Sequence, residues 1–310
     1  MKRVMSVSLG SSKRNHSATV TVLGQEFLIE RVGTDGDKAR AIQMIRELDG
    51  QVAAFGMGGI DLYISCGGRR YMFREARDIA RAAQKSPIVD GSGLKNTLER
   101  RVVQYIVEHD VVPLKGRKVL LVAGVDRFGM AEALCEAGAD VIFGDLIFAL
   151  GVPVPIRSLR TLDIAARLLA PVIVQLPFEM VYPTGKKQEQ SVPKHTKYYE
   201  WADVVAGDYH FIKRYMPPRM EGKVILTNTV TAADIEDLRS RGVARLITTT
   251  PEIQGRSFGT NVMEGLLVAL AGKSPADMTP ADYLGLLDKI GFVPRIVDLQ
   301  TSTTTQSNQR

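Results

Sequence analysis

Lys118-Val119-Leu120-Leu121-Val122-Ala123-Gly124-Val125-Asp126-Arg127-Phe128-Gly129-Met130-Ala131-Glu132-Ala133-Leu134 reads as a buried strand, a tight glycine turn and a helix. This is the opening βα unit of a nucleotide-binding sheet. A continuous run of branched apolar residues suits a parallel strand covered on both faces. Gly124 and Gly129 bracket a turn where a helix N-terminus can meet a phosphate. The spacing is Gly-x-Asp-x-x-Gly, so the dinucleotide fingerprint is broken at the middle glycine that lets the backbone approach a pyrophosphate. Asp126 brings bulk and negative charge to that place. The unit points to a fold more clearly than to a ligand.

Working outward from it, the chain beyond Lys115 alternates strand and helix. Strands are expected near Lys118 to Ala123, Asp140 to Phe143, Val172 to Leu176, Asp203 to Ala206, Lys223 to Thr227 and Arg245 to Thr249. That rhythm predicts an α/β fold, a doubly wound parallel Rossmann-like sheet with ligands at the carboxyl ends of its strands. Thr231 with Asp234 signals the start of a helix running to Arg241, and Gly242 ends it. Another helix is expected from Asn261 to Ala271, with Glu264 completing a capping-box-like pair. A last one, across Asp282 to Ile290, is capped by Thr279 and is expected to pack back onto the first domain.

Before Lys115 the pattern is of a smaller α/β domain. Strands are expected at Val4 to Leu9, Ala18 to Leu23, Phe27 to Arg31 and Val52 to Phe55, with a helix at Lys38 to Leu48, the whole beginning as a β-meander. The expected division is therefore residues 1–114, residues 115–300 and an apolar-free tail, 301–310, expected to be disordered.

With 310 residues and 45% apolar content, the chain can build about two cores. No apolar run reaches the ~18–20 residues of a membrane helix, and Met1-Lys2-Arg3-Val4 enters a strand with no signal-peptide core. Cys66 and Cys135 are the only cysteines, without Cys-x-x-Cys spacing, so the expected compartment is the cytoplasm. A net charge of +6 favours a small anionic molecule as partner. No nucleic acid is indicated: Arg70, Arg74, Arg77 and Arg81 share a face if Tyr71 to Ala83 is helical, but Glu75 and Asp78 lie among them and no aromatic residues interleave. His16, His109, His195 and His210 have no metal-ligand spacing, so no metal is expected. A homo-oligomer stays open.

Several segments carry candidate chemistry. Asp145 follows a strand about twenty residues beyond Gly124, where an acid can hold the ribose of an adenosine-type ligand. Gly207-Asp208-Tyr209-His210 and Thr227-Asn228-Thr229 stand at strand ends where a crevice should open, which makes His210, Asn228 and Thr229 candidate contacts. Asp90-Gly91-Ser92-Gly93-Leu94-Lys95-Asn96-Thr97 reads as a glycine loop before a helix starting near Leu98. Lys95 in it, near Asp90 or Asp61, is a candidate general acid/base, and Asn96 a contact. Gly10-Ser11-Ser12-Lys13-Arg14-Asn15-His16 is a polar turn that offers Ser11 and Lys13 to a cleft or forms a plain hairpin connection. The stretch Pro177 to Pro193, centred on Gly185-Lys186-Lys187, reads as a lid over phosphate or as an insertion.

Three stretches resemble the bacterial proteins catalogued as quinate 5-dehydrogenases: Val7-Ser8-Leu9-Gly10-Ser11-Ser12-Lys13, Val89-Asp90-Gly91-Ser92-Gly93-Leu94-Lys95-Asn96-Thr97-Leu98-Glu99-Arg100, and Thr250-Pro251-Glu252-Ile253-Gln254-Gly255-Arg256-Ser257-Phe258-Gly259-Thr260-Asn261. The resemblance implies a two-domain oxidoreductase with NAD or NADP on the sheet that begins at Lys118, using Gly124, Asp126, Gly129 and Asp145. A hydroxylated cyclic acid would lie in the cleft, Lys95 moving its hydroxyl proton, Asp90 orienting Lys95, and Arg256 adding a contact. Two other classes compete with it. S-adenosylmethionine-dependent methyl transfer would use Asp145 for the ribose without a pyrophosphate at Asp126, and a non-catalytic ligand-binding protein would keep the sheet alone.

Overall fold

The computed structural model describes residues 1–66, 68–177, 191–253, 256–257 and 259–300, with the backbone alone at 66, 252–253 and 256–257. The expected lid at its Gly185-Lys186-Lys187 centre and the tail 301–310 lie outside the described residues, as does the Arg256 side chain.

The chain opens with β1 (Lys2–Ser8), the hairpin β2 (His16–Val22) and β3 (Gln25–Gly33), and α1 (Lys38–Leu48). These elements do not form a meander. β1 pairs with β3 in parallel, and on its other side with β4 (Ala54–Gly58); β2 pairs only with β3, antiparallel. The physical reason is burial. β1 is covered on both faces over its last five residues, which demands a central position, whereas β2 alternates and tolerates an edge.

A ribbon of β5 (Tyr63–Cys66) and β6 (Arg69–Met72) follows, then α2 (Arg74–Ala80) and β7 (Ile88–Val89), which completes the sheet order β2-β3-β1-β4-β7. Arg70 thus lies on a strand and does not share a helical face with Arg74, because backbone pairing with β5 claims the chain up to Met72. Next, α3 (Ser92–Glu108) starts well before Leu98, so Lys95 belongs to a helix's first turn and not to a loop. Leu94, Leu98, Val102 and Ile106 form its buried stripe. The glycines that suggested a loop have other causes. Gly91 precedes the helix at φ +97°, and a Cβ at Gly93 would sit 2.2 Å from Glu264 Oε1.

The second sheet contains β8 (Lys118–Leu121), followed by α4 (Phe128–Glu136); β9 (Asp140–Phe143), a π-helical turn at Asp145–Ala149 and α5 (Leu159–Ile173); then α6 (Thr196–Trp201), β10 (Val204–Ala206), α7 (Tyr209–Tyr215), β11 (Val224–Thr227), α8 (Ala232–Ser240) and β12 (Arg245–Thr248). A small ribbon of β13 (Glu252–Ile253) and β14 (Arg256–Ser257), then α9 (Thr260–Ala271), α10 (Pro280–Lys289) and β15 (Arg295–Asp298) end the described chain. The sheet order is β15-β12-β11-β10-β8-β9, parallel except for β15. The strand expected at Val172 to Leu176 is absent: α5 runs through Val172 to Ile173, burying Leu162, Ala166 and Ala170 at helical spacing. β15, an antiparallel edge, takes the sixth place instead.

A capping box at Thr231–Asp234 starts α8 as expected, and Thr279 caps α10 through a box with Asp282, the helix beginning at Pro280 and not at Asp282. Glu264 forms no such box. Gly259 stands at the helix start, and the buried Glu264 accepts from Gly91 N at 2.6 Å and Tyr283 Oη at 2.8 Å. In consequence α9 crosses back to cover the first sheet, where Val262 and Leu266 pack with Val4 and Phe27, while α10 joins α3 and α9 through Leu94, Tyr283 and Leu287.

Each sheet has one point where its winding reverses. In the first, β1 stands between β3 and β4; in the second, β8 stands between β9 and β10. Ligands on open parallel sheets bind outside the carboxyl ends of the strands at such points. Here both points border one cleft.

Candidate functional site

The cleft, of about 170 Å³, is lined from the first sheet by Ser6, Ser8 and Gly10 at the carboxyl end of β1 and by Gly58 and Gly59 at that of β4. From the second come Asp126 and Arg127 after β8, Asp208 and His210 after β10, and Asn228 and Thr229 after β11. Lys95 on α3 and Asn261 on α9 close its sides. A space of this size suits a small polar molecule, below the ~300–1,000 Å³ of sites for larger ligands.

The turn Gly124 to Gly129 is folded around its own acids. Asp145 accepts from Gly124 N and Val125 N, both at 2.9 Å. Asp126 accepts from Lys95 Nζ at 2.9 Å, and Asp61 lies 3.5 Å from the same amine. Gly129 packs against α3: a Cβ there would fall 2.1 Å from Asn96 Oδ1 and 2.6 Å from its backbone oxygen. Two backbone N–H groups at the start of the turn are thus occupied by the Asp145 carboxylate, and the Asp126 carboxylate stands at the middle position where a glycine would let a pyrophosphate approach. A dinucleotide does not fit on this turn as it is folded.

Beside it runs a chain of buried charge. Arg127 pairs with Glu99 through Nη1 and with Asp208 through Nη2 at 3.3 Å. Asp208 also accepts from Asn228 Nδ2 at 2.8 Å. His210 Nε2 accepts from Arg14 Nη1 at 2.7 Å, joining the two sides of the cleft. Asp90 plays a different part: its carboxylate accepts from Leu62 N at 2.5 Å, Tyr63 N at 3.2 Å, and Ser92 N and Oγ at 3.1 and 2.7 Å. It fixes the start of α3 and the approach to β5.

Burial and these partners set the protonation states. Burial opposes the charge of Lys95, but Asp126 and Asp61 outweigh it and hold the amine as ammonium well above its usual range. Burial pushes Asp61 upward, against the pull of Lys95 and with the help of Asp126. Burial and then the neighbouring Arg14 push His210 down to about 4, so its ring is neutral at pH 7. Burial raises Asp145 to about 6 despite its two backbone donors.

Of the residues expected at a site, Lys95, Asp90, Asp61, Asp126, His210, Asn228 and Thr229 line the cleft. Gly124, Gly129, Asn96 and Asp145 build the turn and its packing. Ser11 accepts from Lys13 N at the start of a short 3₁₀ turn, and Lys13 is exposed. Sequence reasoning passed over Arg31, Arg127, Glu99 and Asn261. One signal was available for this region: Gly56-Met57-Gly58-Gly59 at a strand end, where Asn261 lies against Gly56 and Gly58. Among the described residues no cluster of side chains could hold a metal, and no helix is long and apolar enough to cross a membrane.

Residues 93–299 match the family described as Domain of unknown function (DUF8754). The chain belongs to this family. Residues 3–90 match Domain of unknown function (DUF8753), so the two matches meet at the start of α3, while the boundary expected after Leu114 lies beyond that helix. A search of curated proteins gave no match. Similar solved structures include L-tryptophan dehydrogenase from Nostoc punctiforme, at 12% identity and TM-score 0.38 over 93% of this chain and 80% of that one. An NAD-dependent malic enzyme from Thermotoga maritima gives 12% identity and TM-score 0.34 over 93% and 84%. A sugar ABC transport substrate-binding protein from Bordetella parapertussis gives 11% and 0.35 over 96% and 89%. These likenesses are loose, and function is read from the cleft's own residues.

Proposed function

We infer that the cleft binds a small hydroxylated acid and moves a proton at its hydroxyl group. The observation that carries this reading is the buried Asp61–Lys95–Asp126 cluster at the point where both sheets reverse. Lys95, held as a cation, would donate to a substrate hydroxyl and stabilise an alkoxide as it forms. Asp61, whose ionisation burial opposes, would exchange the proton with it. Asp126 keeps the ammonium in place, and Asp90 holds the backbone of the loop that presents Asp61.

Oxidation of a quinate-like acid with NAD or NADP is the finer form of this reading, implied by the resemblance to quinate 5-dehydrogenases. A dinucleotide would have to lie away from the Gly124 to Gly129 turn, and S-adenosylmethionine meets the same Asp145 clasp. Calorimetry and thermal melting with quinate, alone and with NAD, NADP or S-adenosylmethionine, test the reading. A native-state ligand raises the melting temperature by mass action. Quinate or a near relative should stabilise the wild type and do so far less for Asp61→Asn. Absence of any shift with a panel of hydroxylated acids would refute the cleft reading, and a shift from a cofactor alone would identify the second ligand.

A further inference from the structure

α5 is apolar on every side. Between Leu162 and Val174 its only charges are Asp163 and Arg167, and these pair with each other at 2.6 Å. A helix of that composition belongs in a core. One side meets this demand: Leu162, Ala166 and Ala170 are buried, with α4 and β5 beside the helix. The opposite row, Ile164, Leu168 and Val172, is 49%, 70% and 62% exposed. The loop before the helix adds Leu150, Val152 and Val154, all exposed. Exposed apolar side chains such as Leu23 and Val107 stand singly elsewhere on the surface. A contiguous apolar face marks a contact surface, whereas scattered single residues do not.

Shape, charge and area say what covers this face. The exposed row follows the i, i+4 spacing that makes a ridge along a helix. Beside it Ala165, Leu169 and Ile173 form a second row, and with Leu146 and Leu150 they line a groove of about 60 Å³. Ridge and groove thus lie side by side on one helix. A second copy turned about a two-fold axis offers a groove to each ridge and a ridge to each groove. The charges at the rim are largely balanced within the chain, Arg167 by Asp163 and Arg157 by Asp140 at 3.5 Å, so a strongly charged partner meets little opposite charge here. In a parallel pairing Arg160 would face its own counterpart. In an antiparallel one it faces the uncharged far end of the helix, where the macrodipole is negative. The 15-residue helix is about 22 Å long, and with the adjoining loop its open face is on the order of the ~800 Å² that each partner of a standard interface buries.

We propose that two copies of the chain pair antiparallel through α5, the Ile164, Leu168 and Val172 ridge of each seated in the groove of the other. Ridges of i, i+4 spacing that interleave cross at about 50°, so the contact centres on one point of each helix. Leu168, the middle and most exposed residue of the row, takes that point and lies next to the two-fold axis. The pairing stands apart from the chemistry of the cleft.

Sedimentation velocity of the wild type over roughly 1–100 µM should show a species of twice the mass of one chain, and Leu168→Glu, which sets two carboxylates face to face, should weaken the association by about tenfold or more. At the lowest concentration the variant should melt with the wild type, because the side chain faces water in a single copy. Leu168→Cys tests the axis. With diamide as oxidant it should form a covalent dimer, since a residue beside a two-fold axis meets its own counterpart, while Val107→Cys should not. A wild type that stays monomeric over the whole range overturns the proposal, as does a dimer that Leu168→Glu leaves intact. Two other occupants of the face give distinct results. Early melting of monomeric Leu168→Glu at every concentration would mean that the chain covers the row itself. Wild-type monomer that sediments with vesicles of anionic phospholipid, and is released by Leu168→Glu, would give the face to a membrane. Either result overturns the pairing.

Discussion

Arg14, before β2, and His210, at the start of α7, meet across the cleft in a 2.7 Å hydrogen bond, though they lie 196 positions apart. Arginine can only donate, so Nε2 of His210 accepts and its proton rests on Nδ1. The contact exists only while the ring is neutral.

A pH dependence follows from this. Burial and Arg14 hold His210 at about 4 in the folded chain against 6.5 for the free residue. Between those values the unfolded chain binds the extra proton, so the contribution is complete above pH 6.5 and is lost as pH falls through 4. At about 1.4 kcal/mol per pKa unit the contribution is at most about 3 kcal/mol. His210→Gln keeps an acceptor for Arg14 without a titrating ring. Its stability, measured by denaturant unfolding from pH 7 to pH 4, should fall less steeply than that of the wild type. Parallel slopes would show that His210 titrates normally.

If the cleft carries out the proposed proton transfer, Lys95→Met should lower turnover by about 10²–10⁴-fold. It should also destabilise the fold by about 3–5 kcal/mol, since Asp61 and Asp126 are left buried without their cation. Adding Asp126→Asn to Lys95→Met should restore part of the stability and none of the activity. A double variant no more stable than Lys95→Met would mean that the pair is not coupled as the geometry indicates.

The parts of the fold legible in sequence were those fixed by local chemistry. The run Val119 to Leu121 had to be a strand buried on both faces, the Thr231–Asp234 pair announced its helix at the right residue, and Thr279 was legible as a cap although its helix begins at Pro280, ahead of the Asp282 expected. What local signals could not supply was pairing partners. The place of β1 between β3 and β4, and the return of α9 to the first sheet, depend on contacts between distant residues such as Asn261 with Ser6. Gly93 misled for the same reason, as its lack of a side chain serves Glu264 on a remote helix and not a loop. At the site, Lys95, Asp61 and Asp126 carried recognisable chemistry. Glu99 and Arg127 are ordinary in their own segments and become a buried pair only when α3 packs on the turn after β8.

Gly129→Ala tests the packing role of the turn's second glycine. The added methyl would strike Asn96 Oδ1 and O on α3, both closer than any real contact, so α3 and α4 must separate. A loss of about 1–3 kcal/mol is expected from such overpacking. Asn96→Ala removes the side-chain part of the clash and should recover some of it. A Gly129→Ala protein as stable as the wild type would remove close helix approach as the reason for this glycine.

Asp145→Ala should open the turn by removing the acceptor of both Gly124 N and Val125 N, at a cost of about 1–3 kcal/mol for the donors left behind. Asp145→Asn, which keeps one acceptor oxygen, should lose less. Thermal melting of the two variants separates this clasp from a role in ribose binding, which would leave the stability of the ligand-free protein unchanged and weaken only an adenosine-containing ligand.

Glu264 gives the opposite pH behaviour to His210. Burial and the nearby Asp90 raise its carboxyl to about 8 from 4.5. Between pH 4.5 and 8 the folded chain keeps a proton that the unfolded chain has released. The contribution is therefore complete below pH 4.5, declines as pH rises, and is lost through 8. Glu264→Gln retains an oxygen for Gly91 N and offers an amide to Tyr283 Oη, with no charge to bury. The variant should match the wild type near pH 5 and exceed it by a few kcal/mol near pH 8, since each pKa unit is worth about 1.4 kcal/mol. Urea unfolding at those two pH values reads the difference directly. A variant less stable than the wild type at pH 8 would mean that the ionised carboxylate, bound by Gly91 and Tyr283, is the form the fold requires.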